Sequence, residues 1–478
     1  MTVNATPALV VDLDGTLVVT DSLHESVFRG LRRHAARTLS VLFQFFGHRD
    51  RARLKEALLG AAGLPSVASL PYRASVLALV ETARREGRPV VLATGAHQRL
   101  ADAVAAHLGT FDLVCGTERE NLTRHRKHER LTRLLDGRPY TYVGDSADDL
   151  HVWPHANEAI AVAPASRVLS RLRKLVPGAT VLDPRRGVPL KTLLSQMRVH
   201  QWSKCTLVFV PVIAGHHIFE GQIALAAGWA ALAFAFMSST IYVLNDLFDI
   251  EADRQHPSKR HRPLAAGLIS IPQALALSGA SFAASIGIGS LVGGDVVLAL
   301  LCYGLLSFAY TLRLKRVLVL DVVVLASLYC MRVVVGGLAA DIVLSPWLLA
   351  FMIFEFFGLA LVKRSVELAR MTEPVPGRGY RPDDRPTVRI LGASSTMLGV
   401  LVMSLYLQDT GVPALYPRAQ LLWAIIPLLI YWSGRLWILE DRGVIDDDPL
   451  QFVVRDRVSI MAAGATLLIL LGASQRTF

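Results

Sequence analysis

The sequence predicts two unlike architectures in one chain: an α/β domain built on a parallel sheet with a helical cap, followed by an all-α polytopic membrane bundle of about nine transmembrane helices. Three observations carry this. Of 478 residues, 52% are hydrophobic and the mean hydropathy is +0.41, well above an ordinary soluble protein. The excess is uneven: residues 1–190 alternate apolar and charged segments, whereas from 205 onward long apolar runs are separated by short polar ones. Short apolar strands in the front half end in acidic, hydroxyl and glycine residues, the arrangement of an open parallel sheet whose ligand crevice lies at the carboxyl ends of its strands.

The first strand, within "LVVDLDGTLVVTDS", delivers Asp12 and Asp14, followed by Gly15 and Thr16. "RPVVLATG" is a second strand ending at Thr94, and "YTYVGDSADDL" a third ending at Asp145 with Asp149 four residues on. Lys127 sits between them in "TRHRKHERL". Residues 22–86 read as helical and form a cap over the crevice. In it "LSVLFQFFGHRDRARLK" sets an apolar patch with Phe43, Phe45 and Phe46 beside a basic cluster, either as cap core or as a surface resting on lipid. The chemistry that needs this residue set is phosphoryl transfer through an aspartyl phosphate: one carboxylate attacks, a second donates and later abstracts a proton, a hydroxyl and a lysine hold phosphoryl oxygens, and carboxylates hold a divalent cation.

The DxDGT, Thr, Lys and GDxxxD elements resemble the haloacid dehalogenase superfamily of phosphatases. The resemblance implies a Rossmann-like haloacid dehalogenase-type domain with Asp12 as nucleophile, Asp14 as acid/base, Thr94 and Lys127 as phosphate holders, and Mg²⁺ held among Asp12, Asp14, Asp145 and Asp149. The expected boundaries are residues 1–180 for this domain, 181–196 for a linker and 197–478 for the membrane domain.

Runs near the length needed to cross roughly 30 Å of hydrocarbon lie near 205–219, 222–244, 272–291, 294–312, 318–339, 345–362, 389–408, 419–439 and 458–473. If the N-terminal domain is inside, the connections at 245–270, 311–317, 363–389 and 440–457 carry 4, 3, 7 and 3 Lys plus Arg, while the opposite loops contain only Arg418. That bias orients the bundle with the first domain in the cytoplasm of a multi-pass cell-membrane protein. The N-terminus runs into "ALVVDLDGTL" without a basic n-region and cleavage site, which predicts no secretory signal. Cys115, Cys205, Cys302 and Cys330 have no metal spacing and read as packing residues. The net charge of +11 suits anionic lipid and phosphorylated substrates, and no nucleic-acid motif is present.

The second run ends in "NDLFDIEADRQHPSKRHRPLAAG", where Asp246, Asp249 and Asp253 are spaced to share one helical face. Three carboxylates so close repel one another unless a divalent cation neutralises them, and Mg²⁺ carrying a diphosphate is the usual partner. Lys259, Arg260 and Arg262 can clamp the remaining phosphate charge. Asp321 and Arg332 lie inside an apolar run, where an ionisable residue is a functional candidate.

NDxxDxxxD resembles the UbiA-type intramembrane prenyltransferases, a nine-helix superfamily. The second aspartate pair of that superfamily is missing, since "YTLRLKRVLVLDVVVLASLYCMRVVVGG" offers Asp321 and then Arg332. "MRVHQWSKCTLVFVP", "LALVKRSVEL" and "DPLQFVVRDRVSI" are similar to the decaprenyl-phosphate phosphoribosyltransferase branch, with Cys205 departing from an expected Asn. The resemblance implies transfer of phosphoribose from phosphoribosyl pyrophosphate to a polyprenyl phosphate. Mg²⁺ on Asp246, Asp249 and Asp253 holds the pyrophosphate, and the lipid phosphate attacks the anomeric carbon. Asn245, Asp321 and the cations Lys204, Lys259, Arg260, Arg262, Arg332, Lys363 and Arg364 form the substrate-binding set, with Glu367 as a partner for Lys363 or Arg364. The phosphatase then removes the 5-phosphate to give polyprenyl-phosphoryl ribose. Self-association into a homo-oligomer is left open. The rival readings are a prenyltransferase using a prenyl diphosphate with an aromatic or lipid acceptor, and a transporter, which would carry its polar residues near the midplane.

Overall fold

A computed structural model describes residues 6–46, 50–185, 187–371, 379–409, 412–445 and 449–474. The chain divides into two compact units, one of residues 1–197 with 242–278 and the other of 198–241 with 279–478.

The first unit is built on six strands, β1 (Ala8–Val11), β2 (Val90–His97), β3 (Leu113–Thr117), β4 (Tyr140–Gly144), β5 (Glu158–Val162) and β6 (Thr180–Leu182). Every adjacent pair is parallel, in the order β3-β2-β1-β4-β5-β6. Both faces are covered, so β1 has no polar side. Leu9 and Val11 join one buried cluster, Ala8 and Val10 the other, as expected of a strand packed on both faces. Strand order reverses at β1, placing the ends of β1 and β4 beside the crevice.

α1 (Ser22–Gln44) and α2 (Arg51–Ala62) form the cap between β1 and β2. Asp21 starts α1 by accepting hydrogen bonds from the amides of Leu23 and His24, and the helix kinks at His34. Phe43 and Phe46 are 85% and 86% exposed, so the apolar patch is not cap core; Arg49 of the neighbouring basic cluster lies outside the described residues. α3 (Ala74–Arg85), α4 (Gln98–Leu108), α5 (His125–Leu134) and α6 (Ser166–Leu175) accompany the sheet, and α7 (Leu190–Gln196) follows it.

The first predicted span, 205–219, is not one long helix. Val199–Phe209 is a 3-10 stretch and α8 (Val210–Ala214) is short, because Pro211 and Gly215 interrupt regular helix formation. α9 (Gly221–Gln255) runs 35 residues with nothing to break it before Pro257, so the acidic motif continues the spanning helix. Residues 242–255 of α9 belong to the first unit.

The remaining helices are α10 (Ile271–Val292), α11 (Gly294–Leu312), α12 (Leu320–Ala339), α13 (Pro346–Ala369), α14 (Arg385–Tyr406), α15 (Val412–Leu415), α16 (Ile425–Asp441), α17 (Pro449–Arg455) and α18 (Arg457–Ser474). Among the described residues, eight helices are long and apolar enough to cross a membrane. In the second unit glycines let helices touch. A Cβ on Gly358 of α13 would lie 2.4 Å from Thr396 Cγ2, and one on Gly392 of α14 would lie 2.2 Å from Trp437 Cη2. Small residues at such contacts replace the hydrophobic drive that lipid removes.

Gly392→Val is expected to lower the thermal midpoint of the detergent-solubilised protein, an overpacking cost of about 1–3 kcal/mol. Gly279→Val, where nothing lies within 4 Å of the added atom, should leave the midpoint near wild type in the same melt.

Candidate active site

Asp12 follows β1 and is held by two donors on one oxygen, the Leu13 amide at 2.8 Å and Lys127 Nζ at 3.1 Å. Lys127, buried at the start of α5, also donates to Tyr142 Oη at 2.9 Å and lies 3.5 Å from Asp149 Oδ1. The Tyr142 hydroxyl donates to the same Asp149 oxygen at 2.6 Å. The other oxygen accepts from the amides of Asp145 and Ser146 and from Ser146 Oγ at 3.1, 2.9 and 2.9 Å. Asp149 is thereby saturated, and its work is to set Lys127 and the loop carrying Asp145. Burial alone would raise its pKa, but Lys127, Tyr142 and the Ser146 donors hold it below the usual carboxylate range.

Asp12, Asp145 and Asp149 each offer an oxygen within 4.8 Å of the others'. Burial, with Asp149 and Asp12 beside it, drives Asp145 well above the ordinary carboxylate value. Two buried carboxylates and a half-buried one against one ammonium leave negative charge uncompensated, so the donor set fits an oxygen-liganded divalent cation. The Asp14 carboxylate stands apart, accepting from Ser22 N and Oγ, both at 2.9 Å. Burial, reinforced by Asp21, pushes it up to about 7, which lets it carry a proton near neutrality as a general acid requires. Burial likewise pushes Asp12 up to about 6 against the pull of Lys127. Thr94 is fully buried and its Oγ1 accepts from the Ala96 amide at 2.9 Å, leaving the hydroxyl proton as a donor.

Glycine is required in the turn after β1. Gly15 has φ +75° and a Cβ there would lie 2.2 Å from Asp145 Oδ2. Asp12, Asp14, Thr94, Lys127 and Asp145 line a cavity of about 840 Å³ together with Lys55 and Arg73, two residues that no sequence motif marks. Lys55 comes from α2 and donates to Asn121 Oδ1 at 2.7 Å; Arg73 donates to the carbonyls of Gly15 and Thr16 at 3.1 and 3.2 Å. Tyr142, which links Lys127 to Asp149, carries no sequence signal beyond its place three residues before Asp145.

In the same unit the acidic motif is fully engaged. Arg262 Nη1 lies 3.0 Å from Asp246 Oδ1 and 2.5 Å from Asp253 Oδ2. Gln196 Nε2 donates to Asp246 Oδ2 at 2.9 Å. Asp249 turns elsewhere, 3.1 Å from Arg32 Nη1. Two further pairs flank it: Arg29 Nε to Glu251 at 2.9 Å and a two-pronged contact of Arg254 with Glu25 at 3.0 and 2.8 Å. Glu25, Arg29 and Arg32 lie one above another on α1, so the cap helix and the acidic end of α9 are joined by a ladder of three pairs. Partners more than 200 residues apart leave no local trace of this in the sequence. Lys259 and Arg260 lie in the 3-10 turn Lys259–His261, beside the Arg262 that the carboxylates take. Asn245 stands next to Asp246 on α9.

In the second unit Arg332 is buried in an aromatic cage, its guanidinium 4.9, 5.4 and 5.2 Å from the rings of Phe234, Tyr303 and Tyr329, and it donates to Leu328 O at 2.6 Å. Asp321 is paired with Arg364 and accepts from Tyr380 Oη at 2.9 Å. Glu367 is also bonded to Arg364. Lys204 and Lys363 are half-buried, and Cys205 is buried against Val208 and Phe234.

Residues 205–443, half of the chain, match the UbiA prenyltransferase family. The chain belongs to that family. Residues 9–152 match the haloacid dehalogenase-like hydrolases, so this UbiA-family membrane domain follows a haloacid dehalogenase-type phosphatase domain. A Sinorhizobium fredii protein, y4nM, is 37% identical over 458 residues, 94% of this chain and 88% of its own length. Nodulation protein NoeC of Azorhizobium caulinodans is 32% identical over 296 residues, 60% of this chain and 92% of its own. The decaprenyl-phosphate phosphoribosyltransferase of Mycolicibacterium smegmatis is 35% identical over 193 residues, 39% of this chain and 61% of its own length.

This UbiA-family chain thus is an enzyme with a transferase-type and a phosphatase-type domain, set in the membrane by several spans. Gly15→Ala is expected to lower p-nitrophenyl phosphate hydrolysis about a hundredfold or more, because it displaces Asp145 by the order of an ångström. Arg254→Ala should lower the unfolding free energy by about 3–5 kcal/mol by stranding buried Glu25. The swapped pair Glu25→Arg with Arg254→Glu should regain part of that loss in the same thermal melt.

Proposed function

We propose that the protein is a bifunctional membrane enzyme that transfers 5-phosphoribose from phosphoribosyl pyrophosphate to a polyprenyl phosphate of decaprenyl type, then removes the 5-phosphate to leave polyprenyl-phosphoryl ribose. The observation that carries this reading is that the carboxylate cluster of Asp12, Asp145 and Asp149 and the acidic motif at 246–253 fold into one compact unit. The name of the Mycolicibacterium smegmatis relative supports the choice of sugar donor and lipid.

In the transferase, Asp246, Asp249 and Asp253 would hold Mg²⁺, which when bound supplies charge neutralisation for the pyrophosphate leaving group. Asn245, Lys259, Arg260 and Arg262 lie next to that motif along the chain. Lys204, Asp321, Arg332, Lys363 and Arg364 complete the substrate-binding set. The lipid phosphate is already an anion and needs no general base, so the protein's task is to bring two anions together.

In the phosphatase, Asp12 attacks phosphorus and Asp14 gives its proton to the departing 5-oxygen of the ribose. Water, deprotonated by Asp14, then opens the aspartyl phosphate, releasing phosphate and restoring Asp12. Lys127 and Thr94 hold the phosphoryl oxygens, and Asp12 and Asp145, with Asp149 behind them, would hold a second Mg²⁺. Both centres face the cytoplasm, a side supported by the Lys and Arg bias of the connections. The domains on this reading are 1–180, a linker at 181–196, and 197–478. Exposed Phe43 and Phe46 support a cap seated on lipid.

The decisive assay combines purified protein, Mg²⁺, polyprenyl phosphate and phosphoribosyl pyrophosphate labelled in the ribose. Wild type is expected to yield lipid-phosphoryl ribose and Asp12→Asn to stop at the 5-phosphorylated lipid, both seen by mass. Chelation with EDTA should abolish both steps. Label that never enters lipid would sink the phosphoribosyl reading and move the test to prenyl diphosphates. Phe43→Ala with Phe46→Ala should reduce turnover of the lipid substrate while sparing p-nitrophenyl phosphate; equal loss on both would argue against the lipid seat.

A further inference from the structure

We infer that the turn Arg262–Ser270 is a wall common to the acidic motif and the phosphatase crevice, and that the phosphatase receives its substrate, a phosphomonoester still carried on a lipid anchor, directly from the acidic motif without release into the bilayer. This inference rests on the function proposed above.

One side of the turn is bound to the acidic motif. Arg262 bridges Asp246 and Asp253, Gln196 joins Asp246 to the Leu264 amide, and Arg254 Nε holds the Ala265 carbonyl at 3.1 Å. The other side faces the phosphatase. Gly267, Leu268, Ser270, Pro272 and Gln273 line the same cavity of about 840 Å³ as Asp12, Asp14 and Lys127. Contact is close there: a Cβ on Gly267 would lie 3.1 Å from Val19 Cγ1, and its φ of +74° favours glycine.

The turn is compact, with the Ala266 amide bonded to Arg262 O at 2.9 Å and the Leu268 amide to Pro263 O at 2.9 Å. A cation expected to grip phosphate at the acidic motif and the residues walling the phosphatase are therefore a single turn apart. The lining also has two characters. Its floor is charged, while Leu268, 61% exposed, and Val188 give it an apolar edge. A free sugar phosphate has nothing to place on that edge; a sugar phosphate attached to a polyprenyl chain does.

The test compares wild type with a co-reconstituted mixture of Asp12→Asn and Asp246→Asn proteins, both in phosphatidylcholine–phosphatidylglycerol vesicles containing polyprenyl phosphate. Phosphatase content is matched by p-nitrophenyl phosphate hydrolysis, and labelled phosphoribosyl pyrophosphate starts the reaction. In the mixture the 5-phosphorylated lipid must leave one protein to reach another. Its transient peak is expected to be about tenfold higher than in wild type, with a lag in the dephosphorylated product, because hand-off within one molecule acts at a high effective concentration. Equal peaks would overturn direct transfer while leaving the two activities standing. If no label enters lipid in either sample, the proposed function fails and this inference with it.

Discussion

The contact on which the first unit most depends is the buried pair between Arg254 and Glu25, each about 5% exposed or less. Neither charge can be left alone at that burial without a cost of several kcal/mol. Satisfying both ties the first turns of the cap helix to the last turn of the membrane-derived helix α9. Everything that follows on either side inherits that position: Asp14, bonded to the start of α1 through Ser22, and Ala265, whose carbonyl Arg254 also holds. One guanidinium thus supports both the stretch that carries Asp14 and the basic turn that follows α9.

The same rule, that buried carboxylates need positive charge, is met in two ways. Around Lys127 three carboxylates face one ammonium and the deficit invites a cation. Around Arg262 two carboxylates face one guanidinium that lies only a quarter exposed at the end of a loop. The first arrangement is rigid, since Asp149 is saturated by five donors from neighbouring chain. The second draws on side chains from outside the motif, Arg262 bridging Asp246 and Asp253 and Gln196 donating to Asp246.

Much of this was legible because it is local. DxDGT and GDxxxD are strand ends, and a strand end in a parallel sheet has one crevice to face, so Asp12, Asp145 and Asp149 converge as their spacing implies. The acidic residues of α9 fall on a helix because nothing in the run breaks one. What escaped notice is non-local or cuts against a pattern. Lys55 and Arg73 reach the crevice from the cap and its return, and ordinary basic residues advertise nothing. Asp249 shares a helical face with Asp246 and Asp253, yet Arg32 of the cap claims it. The segment at 205–219 has the composition of a span, but Pro211 and Gly215 deny it regular hydrogen bonding.

The ladder of Glu25, Arg29 and Arg32 against Arg254, Glu251 and Asp249 bears on what a break in the chain would do. Residues 1–197 and 242–278 fold as one compact unit, so chain connectivity between them is not the only thing that joins their surfaces. A cut between β6 and α7 would leave the three pairs and the Phe28–Phe248 ring contact, 5.7 Å between centroids, to hold the two pieces together. The cap helix α1 and the acidic end of α9 thus carry a shared face that does not depend on the covalent connection.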